Sequence, residues 1–234
     1  VRRLSAGEVH VWHCHVELTE RGEPAMLPHL DDAERQRADR FRHDGARRQF
    51  ILARSALRAI AAGYLGADAA VLRFAAGSGG KPELAGAHAA SGVRFSVAHA
   101  GGHVLLAFSR GGEVGVDVET LSRRITWEPI ARRCFSGAGA AALAALPAAQ
   151  RHEAFLVAWC CKEALAKLTG AGLPAAFGVT EAPIPLGARP VVVGTANGPV
   201  HLRRLFPGAG AVAALACAAP PRRVRCLEWS PAAD

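Results

Sequence analysis

The chain has 234 residues, is half hydrophobic and carries a formal charge of +8. That length holds one large domain or two small, closely joined ones with a sizeable core, and the basic balance points to a polyanionic partner: nucleic acid, an anionic cofactor or an acidic protein. Aromatic residues are only 6% with a single Tyr, too few for base-stacking platforms, so a phosphate-bearing cofactor ranks above nucleic acid.

Arg2 and Arg3 have no apolar run behind them, so no secretory leader is read there. No stretch approaches the length of a membrane span. Cys14, Cys134, Cys160, Cys161, Cys217 and Cys226 form no Cys-x-x-Cys pair, which speaks against a disulfide framework or zinc site and for reduced thiols in the cytoplasm. His10, His13 and His15 have no cysteine or carboxylate at ligand spacing and are not read as a zinc site.

In chain order, the pattern predicts a strand over His10–Glu17, a charged helix over Asp31–Arg42 and an amphipathic helix over Ala46–Leu65. An extended segment at Val71–Phe74 and a glycine loop, Gly77–Gly80, follow. Strands at Val93–Ala98, Val104–Ser109 and Val114–Glu119, joined by glycine turns, read as an antiparallel meander. Helices are then expected over Trp127–Cys134, Gly137–Leu146 and Arg151–Thr169, and strands over Phe177–Glu181, Val200–Phe206, Ala211–Cys217 and Val224–Trp229. The repeated order of strand, helices and strands predicts an α+β fold of two similar halves, 1–111 and 112–234, with a shared cleft that suits a ligand.

Two acidic clusters carry the chemistry. In Gly115-Val116-Asp117-Val118-Glu119, a strand places both carboxylates on one face. In Trp159-Cys160-Cys161-Lys162-Glu163-Ala164-Leu165-Ala166-Lys167, Glu163 and Lys167 share a helix face. That face lies opposite a core stripe of Ala154, Ala158, Cys161, Leu165 and Leu168. It includes the apolar Leu156 and Cys160, so it is expected to line a cleft rather than meet solvent. Three carboxylates and one ammonium converging from two rigid elements suit Mg²⁺ held jointly with substrate phosphates.

His99 closes a strand ahead of Gly101-Gly102, where it can donate to a phosphate oxygen. Lys81 sits on a glycine loop and is in isolation an ordinary surface lysine. The arginines between Arg35 and Arg48 are interleaved with Asp32, Glu34, Asp39 and Asp44. Such a face is not the uniform basic stripe that a nucleic-acid-binding module requires. That module, and another Mg²⁺-dependent phosphotransferase or phosphohydrolase, are the alternative readings.

Gly80-Lys81-Pro82, Phe95-Ser96-Val97-Ala98-His99, Gly115-Val116-Asp117-Val118-Glu119 and Trp159-x-x-Lys162-Glu163-Ala164-x-x-Lys167 occur in that order. With Arg40-Phe41-Arg42-His43 upstream, the stretch from Asp31 to Leu173 resembles the 4′-phosphopantetheinyl transferases of the surfactin-synthetase type, within the holo-carrier-protein synthase superfamily. The resemblance implies a monomeric, pseudo-twofold α+β enzyme that binds coenzyme A and Mg²⁺ between its halves. It implies transfer of the phosphopantetheine arm to a serine of an apo acyl or peptidyl carrier protein, with release of adenosine 3′,5′-bisphosphate, in the service of peptide or polyketide synthases. No nucleic-acid or membrane partner is expected. By the same resemblance Asp117, Glu119 and Glu163 hold the metal, and Glu163 is a candidate base for the carrier serine. Lys167 offsets charge on the leaving phosphate, Lys81 and His99 contact coenzyme A phosphates, and Arg47 lies near the 3′-phosphate. Ala164, Ala98 and Ala100 depart from the family pattern, which often has serine at these places.

Overall fold

A computed structural model describes residues 3–170 and 189–231. Four layers stack in the order helix, sheet, sheet, helix. The first sheet has the strand order β10-β1-β5-β4, from Arg223–Glu228, Glu8–His15, His103–Arg110 and Val93–Ala100. The second has the order β6-β9-β8-β7, from Val114–Thr120, Ala211–Cys217, Gly198–Leu205 and Val191–Thr195. A small hairpin of β2 (Arg73–Ala76) and β3 (Pro82–Ala85) stands beside the first sheet. The fold is α+β.

The helices are α1 (Thr19–Met26), α2 (Asp32–Asp39), α3 (Asp44–Leu65), α4 (Trp127–Cys134), α5 (Gly137–Ala145) and α6 (Ala148–Thr169). Asp31 and Glu34 form a reciprocal capping box that starts α2, so the charged segment becomes a short helix of eight residues. The two 22-residue helices, α3 and α6, end in the same way. Gly66 and Gly170 take left-handed conformations and close the last turn with their N–H groups on Ala62 and Ala166. Each long helix covers the outer face of one sheet.

The alternation of each strand decides its layer. Cys14, Val104, Leu106 and Phe108 face α3 with Ile51, Leu57 and Ala61. Val9, Val11, Leu105 and Ala107 face the other way, onto Val114, Val116, Val118 and Leu215 of the second sheet. Val212, Ala214 and Ala216 then meet Leu156, Cys160 and Ala164 of α6. The central strands β5 and β9 are buried almost throughout because both of their faces are covered.

Three findings differ from the pattern-based expectation. Val114–Glu119 does not complete a meander: β6 pairs with β9 in the second sheet, while β5 pairs with β4 and β1. Ser96 of β4 explains part of this, because its hydroxyl accepts the Val116 N–H at 3.1 Å in place of a backbone carbonyl. The last strand, β10, pairs parallel with β1 in the first sheet. The short elements α1, β3 and β7 carry too little periodicity to have been anticipated. The strand expected at Phe177–Glu181 and the end of the family-like stretch at Leu173 lie outside the described residues.

Candidate active site

The site begins with a glycine. A Cβ added to Gly115 would meet the carbonyl oxygen of Ala164 at 1.9 Å and the Leu168 nitrogen at 2.7 Å. Only glycine opposite a small helix residue lets β6 press its backbone directly on α6. Val114, Val116 and Val118 are committed to the inter-sheet core, so Asp117 and Glu119 must share the α6 side of the strand with Gly115. The flank of α6 at Ala164 and Leu168 is therefore pressed on β6, which brings Lys167 within reach of Asp117, and Leu156 and Cys160 of the same helix are fully buried.

Lys167 Nζ donates to Asp117 Oδ1 at 2.7 Å. Asp117 is only 7% exposed, and its Oδ2 is buried without a hydrogen-bond partner among the described residues. Glu119 is held by the Arg123 guanidinium, one turn beyond the strand. All three carboxyls are pushed above their ordinary range. Burial is the main cause for Asp117, against the opposing Lys167 ammonium. For Glu119 burial is again first, opposed by Arg123 and reinforced by Asp117. For Glu163 burial leads, followed by the Asp117 charge. The Asp117 charge thus acts on both glutamates, and the Glu119 charge on Glu163.

A second close approach brings in the glycine loop. A Cβ on Gly79, whose φ is +60°, would lie 1.9 Å from the carbonyl oxygen of Gly170, the α6 cap. The loop is thereby seated against the end of α6, and a cavity of about 310 Å³ opens between them. Lys81, Ser96, Glu163 and Lys167 are among its lining residues. Lys81 is not loose in that cavity: its ammonium donates to Glu113 Oε2 at 2.8 Å and to the Val114 carbonyl at 3.1 Å. Arg94 shares Glu113 at 3.0 Å. His99 stands on β4 within the electrostatic reach of Lys167 and Asp117, and its pKa is lowered, first by partial burial and then by the Lys167 charge.

The structure thus gathers Lys81, His99, Asp117, Glu119, Glu163 and Lys167 about one region. It places Arg47 elsewhere, at the junction of the N-terminal helices, paired with Glu23 at 2.6 Å and reaching toward Asp39 at 3.9 Å. Lys162 of the same motif points away from the carboxylates, with Nζ 5.2 Å from the centre of the Phe135 ring. Sequence reasoning missed Ser96, Glu113 and Arg123 as site residues. Ser96 lies inside a quoted motif and Arg123 four residues past Glu119, but their roles depend on contacts that no local pattern reveals.

Hard oxygen donors and one open, buried carboxylate oxygen fit a divalent cation such as Mg²⁺. Among the described residues, no three His, Cys, Asp or Glu side chains are yet drawn together as a ligand set. Lys167 and Arg123 hold two of the three acids instead.

Comparisons with known proteins give the family. A family profile described as the 4′-phosphopantetheinyl transferase superfamily matches residues 113–205, which include both acidic motifs. The 4′-phosphopantetheinyl transferase HetI of Nostoc sp. is 34% identical over 170 residues, 73% of this chain and 72% of HetI. The chain belongs to the 4′-phosphopantetheinyl transferase superfamily. A putative 4′-phosphopantetheinyl transferase of Synechocystis sp. is 33% identical over 150 residues, 64% of this chain and 61% of its own length. AcpT of Salmonella typhimurium matches a shorter stretch, 34% identical over 94 residues, 40% of this chain and 47% of AcpT. The phosphopantetheinyl transferase described here is therefore an enzyme, and its two acidic motifs lie within the region that defines the superfamily.

Proposed function

We propose that this phosphopantetheinyl transferase moves the 4′-phosphopantetheine arm of coenzyme A to a serine of an apo carrier protein, with Mg²⁺ as cofactor, and that it serves peptide or polyketide synthases as the surfactin-synthetase type does. The observation that carries this reading is the convergence of Asp117, Glu119 and Glu163 with Lys167 where β6 presses on α6. When bound, Mg²⁺ supplies charge neutralisation at the pyrophosphate. Asp117, Glu119 and Glu163 would hold it. Glu163, whose carboxyl is raised by burial and by its acidic neighbours, takes the proton from the carrier serine. The serine oxygen attacks the β-phosphorus of coenzyme A, and the bond from that phosphorus to the bridging oxygen breaks. Lys167 meets the charge that gathers on the departing adenosine 3′,5′-bisphosphate. Lys81 and His99 contact the phosphates in the ground state, whereas Arg47, paired with Glu23 away from this cavity, is given no part in the reaction.

Family membership removes an unrelated phosphohydrolase from consideration. A nucleic-acid-binding module is disfavoured by ion pairs in the basic stretch and just beyond it, where Arg35, Arg47, Arg54 and Arg58 are engaged by Asp32, Glu23, Glu34 and Asp31. We assign the halves to 1–111 and 112–234, supported by one long helix and one sheet in each, with β10 lent back to the first. One chain with both halves supports action as a monomer. Six free cysteines, five of them buried, favour a reducing compartment, the cytoplasm. Among the described residues no helix is long and apolar enough to cross a membrane.

The test is incubation with coenzyme A, Mg²⁺ and an apo carrier protein, read by intact mass. Gain of one phosphopantetheine, abolished by chelator, is expected. Full modification in excess chelator would overturn the metal assignment, and no modification with any carrier would overturn the reaction.

A further inference from the structure

Arg123 is a cation beside the acidic cluster that the reaction does not use. It follows β6 in the turn that leaves the strand, and its own N–H donates to the Thr120 carbonyl at 3.1 Å. Its guanidinium turns back to Glu119, which is only 13% exposed, while Arg123 itself is 41% exposed. Lys167 differs in its support. It stands on the buried face of a 22-residue helix and binds an aspartate packed beneath it. Arg123 stands on an irregular loop, Leu121–Thr126, that lines an open cleft of about 770 Å³ together with Arg124 and His152. The loop is tied down at its first residue, where Leu121 donates to the Gly210 carbonyl at 2.8 Å and its own carbonyl meets His152 Nε2 at 3.1 Å. Beyond that anchor the arginine has room to swing from Glu119 into the cleft.

We propose that Arg123 is an exchangeable counter-ion for Glu119: it neutralises this carboxylate while no divalent cation is bound, and must release it before the carboxylate can become a ligand. The arrangement of the acids agrees. Glu119 and Asp117 each lean on a protein cation, and the three carboxylates are not gathered as a ligand set. The arginine half of the pair is solvent-exposed and stands on a loop, so water can take it up when the pair opens, whereas the same guanidinium left beside a dication would be repelled into the cleft. Arg123 thus sets the affinity of the site for metal from outside the ligand set. This rests on the reading of Glu119 as a metal ligand.

The experiment is Mn²⁺ binding to the full chain without coenzyme A, followed by the paramagnetic resonance signal of free Mn²⁺. The proteins compared are wild type, Arg123→Gln, Arg123→Lys and Glu119→Gln. Arg123→Gln is expected to bind Mn²⁺ about fivefold more tightly than wild type, from loss of the competing pair and of one nearby positive charge. Arg123→Lys should stay near wild type, and Glu119→Gln should bind less. Equal or weaker binding by Arg123→Gln, with wild type binding and Glu119→Gln impaired, overturns the counter-ion role and leaves the metal reading intact. Binding that Glu119→Gln does not change, or no Mn²⁺ bound by any of the four, overturns both.

Discussion

Lys167 reaches across from α6 to hold Asp117 of β6, joining the two motifs of the site by one 2.7 Å hydrogen bond between opposite charges. The bond has a structural as well as a chemical share. Asp117 is nearly buried, so removing its cation leaves a poorly solvated carboxylate, a change that costs more than the pair contributes. Lys167→Met should lower stability by about 2 kcal/mol, and adding Asp117→Asn should restore most of it. Urea unfolding of the four proteins of this cycle checks it; additive losses would show that the two residues are not coupled. Turnover should be lost in every variant.

Gly115 is predicted to tolerate no side chain. Gly115→Ala forces a Cβ onto the Ala164 carbonyl, so β6 and α6 must part. A destabilisation of about 3 kcal/mol and near-complete loss of activity are expected. Thermal unfolding beside a turnover assay checks both, and a wild-type melting temperature would mean that the contact is easily relieved.

Ser96 is expected to act through the backbone. It is 2% exposed and accepts the Val116 N–H, so Ser96→Ala orphans a buried donor between β4 and β6. The cost should be about 1–2 kcal/mol in denaturant unfolding. Hydrogen exchange at the Val116 amide should accelerate more than at distant amides of β9.

The pH dependence of the acidic cluster has a definite sign. The Glu163 carboxyl is raised in the folded protein, by burial and by Asp117 and then Glu119, so the folded state holds this proton more tightly than the unfolded chain. Its favourable contribution is full below the unfolded carboxylate value and is lost as pH rises through the folded one. Metal-free Glu163→Gln should therefore be more stable than wild type at pH 7.5, with the difference shrinking toward pH 4. Added Mg²⁺ should raise the melting temperature of wild type more than that of the variant. A variant less stable than wild type at pH 7.5 would show that Glu163 is ionised there at no cost.

Much of this was legible from residues alone, because the relevant signals are local. Strand alternation placed Asp117 and Glu119 on one face, and helix spacing placed Glu163 with Lys167. Long helices α3 and α6 start within three residues of their predicted positions and end where predicted. What stayed hidden was long-range. Nothing near Val114 announces that its strand leaves β5 for β9, nor that Arg223–Glu228 returns to β1. The Gly79 contact with Gly170 and the Lys81 pair with Glu113 join segments distant in the chain, and only the packed fold reveals them. Sequence pattern alone makes the α6 face of Glu163 and Lys167 a cleft lining, and both line the cavity beside the glycine loop, while Gly115 of β6 packs on the flank of the helix at Ala164 and Leu168.

The return of β10 to β1 has a consequence for synthesis and for dissection of the chain. The first sheet receives its outermost strand from residues 223–228, after the whole second sheet has been made. A ribosome that has released everything up to Cys217 has therefore exposed an N-terminal sheet with β1 still open along one edge. Cutting between the halves would not yield two self-sufficient pieces. It would leave one fragment with a bare strand edge and the other with a loose strand, each shaped to recapture the other, so two separately expressed fragments are a natural starting point for a split, self-reassembling transferase.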